Sequence, residues 1–289
     1  MEKQRTLAGS AKLSGIALHS GARVSLRVEP AEENTGIVFR RVDLPGAPEV
    51  RALASNVVEV QRGTTIASGE ARVYTVEHIM SALHALRVDN CVVEMDGMEP
   101  PICDGGALPF VEMIEEAGIV EQSAPAVYFT PKAPVAVVQG GARVVIIPDA
   151  EKLRISCVTS FRGCPFDPQF CEFELSDPEK YRAEVAPART FVDYGDLKML
   201  LSMGLCKGGS LDAAAIIHDG AIICKDKLRF NNEIVRHKIL DIIGDLYLVG
   251  CRVRGTVVAV KSGHPSHVML AGQLLREFAA SCRPAENVK

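Results

Sequence analysis

Between residues 236 and 250 the chain reads "RHKILDIIGDLYLVG", and His237, Asp241 and Asp245 fall at i, i+4 and i+8. On a helix that spacing stacks an imidazole and two carboxylates along one stripe. The residues between them (Ile239, Leu240, Ile242, Ile243, Leu246, Leu248 and Val249) are apolar, so the helix belongs in a core. Polar groups placed there need partners, because burying them bare is costly. Two histidines and one aspartate form a plausible three-ligand zinc set with a fourth position left for water. The same His-x-x-x-Asp pair also reads as a buried couple that fixes one imidazole tautomer. Spacing alone does not choose between these.

The chain has seven histidines. In "TVEH", Glu77 immediately precedes His78 at the start of a helix, where the helix dipole favours an ionised carboxylate suited to act as a base. The order differs from the His-Glu-x-x-His of zinc peptidases, so no peptidase reading follows. In "KSGH", His264 ends a strand, and the glycine before it frees the backbone to present the imidazole. Asp245, one turn beyond Asp241, is placed to orient a histidine and raise its basicity without touching a metal. His84 shares a helix with His78, and His218 and His267 sit in loops beside Asp219 and Ser266. These three read as solvated or satisfied side chains.

The elements that position these residues follow from periodicity. "GARVSLRVEP" alternates Val24, Leu26 and Val28 with Arg23, Ser25 and Arg27, and "TGIVFRRVD" follows as a second strand. "YTVEHIMSALHAL" has helical spacing through Val76, Ile79, Met80, Leu83 and Leu86, with Thr75 as its N-cap. A strand at "NCVVEMDG" and a helix at "LPFVEMIEEAG", ending at Gly118, complete the first half. The proline-bearing "EQSAPAVYFTPKAP" marks a linker near residues 122–127, dividing the chain into domains 1–124 and 125–289. The second half runs through strands at "ARVVIIP", "LRISCVTSF" and "FCEFEL", an apolar insert near residues 193–224, the 236–250 helix and a strand at "GTVVAVKSGH". Strands, a helix with a histidine near its start and a further strand thus occur twice, which predicts two similar α+β domains packed together. A site between them is expected.

Composition narrows the function. With 289 residues, 47% hydrophobic and 24% charged, the chain is ordinarily globular. A net charge of −4 without basic clusters argues against a nucleic-acid partner. No apolar run approaches the roughly 20 residues of a membrane span. The start of the sequence lacks a signal peptide's apolar segment. Nine cysteines without a Cys-x-x-Cys pair fit free thiols in a reducing cytoplasm.

Seven stretches, in order along the chain, resemble the bacterial UDP-3-O-acyl-N-acetylglucosamine deacetylases of lipid A biosynthesis. They are "GIALHSG" (15–21), "TVEH" (75–78), "CDGGALPF" (103–110), "ARTF" (188–191), "CKGGSLD" (206–212), "VRHKILDIIGDLYLVG" (235–250) and "KSGH" (261–264). The resemblance implies two similar two-layer α/β sandwich domains, each with a small insert, and an active site between them. It implies Zn2+ held by His78, His237 and Asp241, with Glu77 as the general base. His264, held by Asp245, would stabilise developing charge and protonate the leaving amine, and Thr190 would donate to the oxyanion. Lys238 would reach the sugar or phosphate, Lys261 and Phe191 would also contact the substrate, and Phe161 would stack on uracil. Leu18 and His19 would line the site from the first domain. Leu197, Cys206, Gly209, Ser210 and Ala214 would form the passage for the acyl chain.

The substrate so implied is a UDP-linked, 3-O-acylated N-acetylglucosamine, which would lose acetate in the cytoplasm in an early committed step of lipid A biosynthesis. The amphipathic product leaves open a transient contact with the inner membrane. Two further readings stand beside this one: a zinc amidase acting on another N-acyl sugar, and a sugar-nucleotide or lipid binding protein with a structural His–Asp pair. A binding module has no need of Glu77, His264 and Thr190 together with the three ligand candidates. The chain departs from the family at Ala17, where a second glycine is common, and at Asp193 and Tyr194, where apolar residues are often seen.

Overall fold

The structure is a computed structural model that describes residues 2–161 and 164–282. Its helices are α1 (Glu77–Ala85), α2 (Leu108–Ala117), α3 (Pro178–Glu184), α4 (Tyr194–Ser202), α5 (Glu233–Tyr247) and α6 (His264–Ser281). In the first half five strands lie side by side in the order Ala11–Ile16, Arg23–Pro30, Cys91–Met95, Ile37–Arg41 and Glu49–Arg51. In the second half the order is Val135–Gln139, Ala142–Ile147, Gly255–Val260, Leu153–Thr159 and Gln169–Glu174. By position in the chain both sheets read first, second, fifth, third, fourth. Both also contain the same single parallel pair, between the fifth strand and the third. Parallel neighbours require a crossover, and the helices α1 and α5 lie on the equivalent crossovers. The halves are therefore two versions of one α+β fold.

Each sheet buries one face because its apolar residues alternate. Val24, Leu26 and Val28 are buried while the residues between them are not, and Leu153, Ile155 and Cys157 repeat the pattern in the second sheet. Each half also carries a three-stranded insert. The first comprises Val57–Glu59, Thr65–Ser68 and Ala71–Val73; the second comprises Thr190–Asp193, Ala214–His218 and Ala221–Ile223, with α4 between its first two strands. Asp193, one of the departures from the family pattern, caps α4 by accepting from the Gly195 N–H at 2.8 Å.

Helices α1 and α5 meet at the centre of the molecule. Every residue of α1 is buried, and its His84 ring stacks on Tyr247 of α5 at 4.3 Å. A 2.9 Å hydrogen bond between His84 Nδ1 and the Ile243 carbonyl satisfies that imidazole. Gly244 allows the close approach, since a Cβ there would stand 2.1 Å from the Glu77 carbonyl oxygen. Gly244→Ala must push the helices apart, and overpacking of this kind costs about 1–3 kcal/mol. A urea-unfolding midpoint equal to that of the unaltered chain would contradict the contact.

Several local expectations change. Thr75 does not cap α1: Val76 holds that position, and Thr75, at φ 53°, donates its hydroxyl to Glu99 Oε1 at 2.9 Å. The stretch expected as a linker is strand through Pro125, because Ile119–Pro125 pairs with Lys3–Leu7. The proposed division after residue 124 falls at the end of that strand. The last strand stops at Val260, so His264 begins the 18-residue helix α6 instead of ending a strand. Pro265 suits that first turn, where its missing N–H leaves no bond unmade. His267 consequently lies buried on a helix, not in a loop, and His218 ends a strand.

Candidate metal and catalytic site

The α1–α5 contact sets the chemistry. His78 comes from the first turn of α1, and His237 and Asp241 come from successive turns of α5. One ligand atom from each of the three lies within 4.8 Å of the others. His237 Nδ1 is 3.0 Å from the Ala188 carbonyl oxygen, and donating there leaves the Nε2 lone pair facing Asp241 Oδ1 at 3.4 Å. The His78 and His237 rings meet edge to face, with centroids 5.1 Å apart.

Two buried atoms in this group, His78 Nδ1 and Asp241 Oδ1, have no hydrogen-bond partner among the described residues. Orphaned polar atoms in a core are expensive, and a cation held by the group would use the free Asp241 Oδ1, while His78 has the Gly106 backbone beside its ring. The protonation states suit that role. Burial, then the neighbouring His237, pushes His78 down to about 3, and burial also lowers His237, so both imidazoles are neutral donors of a lone pair. Burial works against ionisation of Asp241, but its positive neighbours, Lys238 first, outweigh it and hold the carboxyl well below its usual range. Neutral nitrogens plus a carboxylate match a borderline-soft divalent ion.

A second group, Asp245, His264 and His267, is equally close-set. Its atoms, however, are committed to one another. Asp245 Oδ2 is 2.9 Å from His264 Nδ1 and 3.0 Å from His267 Nδ1, and Oδ1 accepts from the Thr64 hydroxyl at 2.6 Å. His267 Nε2 in turn lies 2.9 Å from Ser262 Oγ. This group is a hydrogen-bonded support. Its outermost member, His264, turns Nε2 back to within 3.7 Å of Glu77 Oε1 and 3.9 Å of Asp241 Oδ2.

Glu77 is buried and stands apart from the three candidate ligands, with its Oε2 accepting from the Thr64 N–H at 2.9 Å. Burial above all, with help from Asp245 and Asp241 and opposed by His264, raises its carboxyl to about 7. His264 moves the other way. Burial would lower it, but Asp245, Glu77 and Asp241 together raise it to about 9. Near neutrality the pair therefore offers a carboxylate able to take a proton and an imidazolium able to give one.

These groups line an open cavity of about 610 Å³, whose wall includes Leu18, Phe161, Thr190, Phe191 and Lys238. Phe161 and Phe191 meet edge to face at 4.6 Å, and Lys238 Nζ donates to Asp241 Oδ2 at 2.7 Å. Leu18, Arg62, Thr190 and Phe191 also line an adjoining apolar cavity of about 240 Å³. His19, Leu197, Cys206, Gly209, Ser210 and Ala214 complete much of its wall. The "CKGG" turn closes on the first half because Gly208 lacks a side chain: a Cβ there would be 2.1 Å from the Ala17 carbonyl oxygen. Lys261 is exposed at φ 51° and, like the buried Asp245, lines neither cavity.

Sequence reasoning missed Thr64 and His267, which stand behind the site, and Ser262, which lines its cavity and meets His267. Thr64 carries no signal in its own motif. His267 would have been legible had α6 been read from His264, since i and i+3 share a helix face.

The model of one protein family, UDP-3-O-acyl N-acetylglycosamine deacetylase, matches residues 4–276. A UDP-3-O-acyl-N-acetylglucosamine deacetylase of Citrifermentans bemidjiense is 44% identical over 273 residues, covering 94% of this chain and 89% of that protein. Proteins of the same description from Myxococcus xanthus and Marinobacter nauticus are 42% and 40% identical. They cover 95% and 97% of this chain, and 87% and 91% of their own lengths.

Proposed function

Since the chain belongs to the UDP-3-O-acyl N-acetylglycosamine deacetylase family, we propose that it hydrolyses the N-acetyl group of UDP-3-O-(3-hydroxyacyl)-N-acetylglucosamine. Acetate and the free amine are the products, in an early committed step of lipid A biosynthesis. The observation that carries the reading is the meeting of His78, His237 and Asp241, with Asp241 Oδ1 buried and unpartnered among the described residues and Glu77 and His264 alongside. Zinc is the ion this donor set suits, and when bound it supplies Lewis acidity, polarising an amide carbonyl and acidifying water.

The protein groups divide the remaining work. Glu77 takes a proton from the water that attacks the acetyl carbon. The Thr190 hydroxyl donates to the oxygen on which negative charge develops. His264, kept charged and aligned by Asp245, protonates the nitrogen as the C–N bond breaks. Phe161, Phe191 and Lys238 hold the sugar nucleotide, and the adjoining apolar cavity takes the acyl chain, whose methylenes gain from leaving water.

Among the described residues no helix is long and apolar enough to cross a membrane. All nine cysteines are free, which supports a reducing, cytoplasmic site of action. Transient contact with the inner membrane fits the amphipathic product. The deciding experiment combines elemental analysis with acetate release from UDP-3-O-acyl-N-acetylglucosamine. A purified chain that holds no zinc, or holds zinc and releases no acetate, would refute the reading.

The proton roles set a pH dependence. The rate rises as Glu77, pushed up to about 7, loses its proton, and falls as His264, held at about 9, loses its own. His264→Ala should lower the rate and remove the alkaline fall. An unchanged alkaline limb would assign that limb to another group.

A further inference from the structure

Thr64 is fully buried and stands just before the second strand of the first insert, 13 residues from Glu77 and 181 from Asp245. Its backbone N–H donates to Glu77 Oε2 at 2.9 Å, and its hydroxyl donates to Asp245 Oδ1 at 2.6 Å. One residue of the first half thus touches both the carboxylate beside the metal ligands and the carboxylate that orients His264. We propose that Thr64 is a positioning residue that locks Glu77 and the Asp245–His264 pair into a single register.

The geometry excludes a looser reading. The segment is pressed onto the base, because a Cβ on Gly63 would lie 3.1 Å from Glu77 Oε1 and 3.3 Å from Thr75 Oγ1. The hydroxyl has one proton to give. His264 Nδ1, at 3.4 Å from Thr64 Oγ1, needs its own proton for Asp245 Oδ2 at 2.9 Å, so the threonine proton goes to Asp245 Oδ1. Asp245 then receives three donors: Thr64 on one oxygen, His264 and His267 on the other. Ser262 Oγ, donating to His267 Nε2, keeps the His267 proton on Nδ1. A carboxylate held on both oxygens cannot rotate, and a β-branched residue has little χ1 freedom with which to let go.

The hydrogen bond from Thr64 Oγ1 spans 181 residues of chain. Glu77 rides on α1 and His264 on α6, so their separation depends on how the halves dock. The Gly244 contact fixes the backbones of α1 and α5. Thr64 fixes the Glu77 and Asp245 side chains they carry, and Asp245 holds His264 of α6. It does not line the catalytic cavity, so its effect must pass through Glu77 and Asp245. The inference rests on the proposed roles of Glu77 and His264.

The test uses the zinc-loaded full chain with Thr64→Val, which keeps the shape and the backbone donor, and Thr64→Ser, which keeps the hydroxyl. Misplacement of a reacting group by a fraction of an ångström predicts a fall in kcat of about tenfold to a hundredfold in Thr64→Val. KM and zinc content should stay within about twofold, and Thr64→Ser should recover kcat to within about threefold. The His264 Nδ1 proton resonance should shift or vanish in Thr64→Val and persist in Thr64→Ser. Wild-type kcat in Thr64→Val, or equal losses in both variants, overturns the proposal. Should the unaltered chain release no acetate, the functional reading fails, and the proton resonance alone decides on the lock: unchanged in Thr64→Val, it refutes it.

Discussion

Glu77→Ala should keep its zinc and lose most of its turnover. The carboxylate lies outside the His78, His237 and Asp241 group, so its removal takes none of the proposed ligands away. It is nevertheless the carboxylate nearest His264 Nε2 that burial raises to about 7, where a base is poised between holding and releasing a proton. Positioned acid–base groups contribute about 10²–10⁴-fold to rate, and a loss in that range is expected. Glu77→Gln sharpens the result. Its amide oxygen can still accept from the Thr64 N–H, so packing survives while basicity does not. Elemental analysis and acetate release measured on the same preparation check both halves of the prediction, and an undiminished rate in either variant would end the base assignment.

Asp241→Ala should lose metal and activity together. The two oxygens of the carboxylate face different groups: Oδ2 takes the Lys238 ammonium at 2.7 Å, and Oδ1 lies 3.4 Å from His237 Nε2 with no hydrogen-bond partner among the described residues. Deleting it removes a proposed ligand and strands Lys238, whose charge Asp241 sustains against burial. Outer-shell partners of a metal typically contribute about 10–100-fold to affinity, and a direct ligand should exceed that. Competition with a chelator measures the affinity. One zinc still held as tightly as in the unaltered chain would remove Asp241 from the ligand set.

Much of this site was legible because its residues sit at fixed spacings within single elements. His237, Asp241 and Asp245 mark one helix face wherever that helix packs, and Glu77 next to His78 is local to one turn. The alternation in "GARVSLRVEP" and "LRISCVTSF" likewise reports a buried face without reference to a partner strand. The resemblance then joined motifs that spacing left separate. Where the reading slipped, a neighbour from elsewhere decided. Thr75 has the residue type and position of an N-cap for α1, but Glu99 claims its hydroxyl. The 122–127 stretch has the prolines of a linker, but the N-terminal strand pairs with it. The apolar alternation carries the strand to Val260, and the four residues from there to His264 hold no local mark of where it ends and α6 begins.

The sequence by itself determined which residues share a face and which chemistry those faces carry, since periods of 2 and 3.6 are properties of the local backbone. Only the tertiary structure decided which faces meet. The matching order of the two sheets, the approach of Gly244 to Glu77, and the convergence of Thr64, Ser262 and His267 behind Asp245 join elements up to about two hundred residues apart. The physical reason is that a buried polar atom is satisfied by whatever the fold brings within hydrogen-bond reach. Nothing in the residue type of Thr64 or His267 encodes that partner.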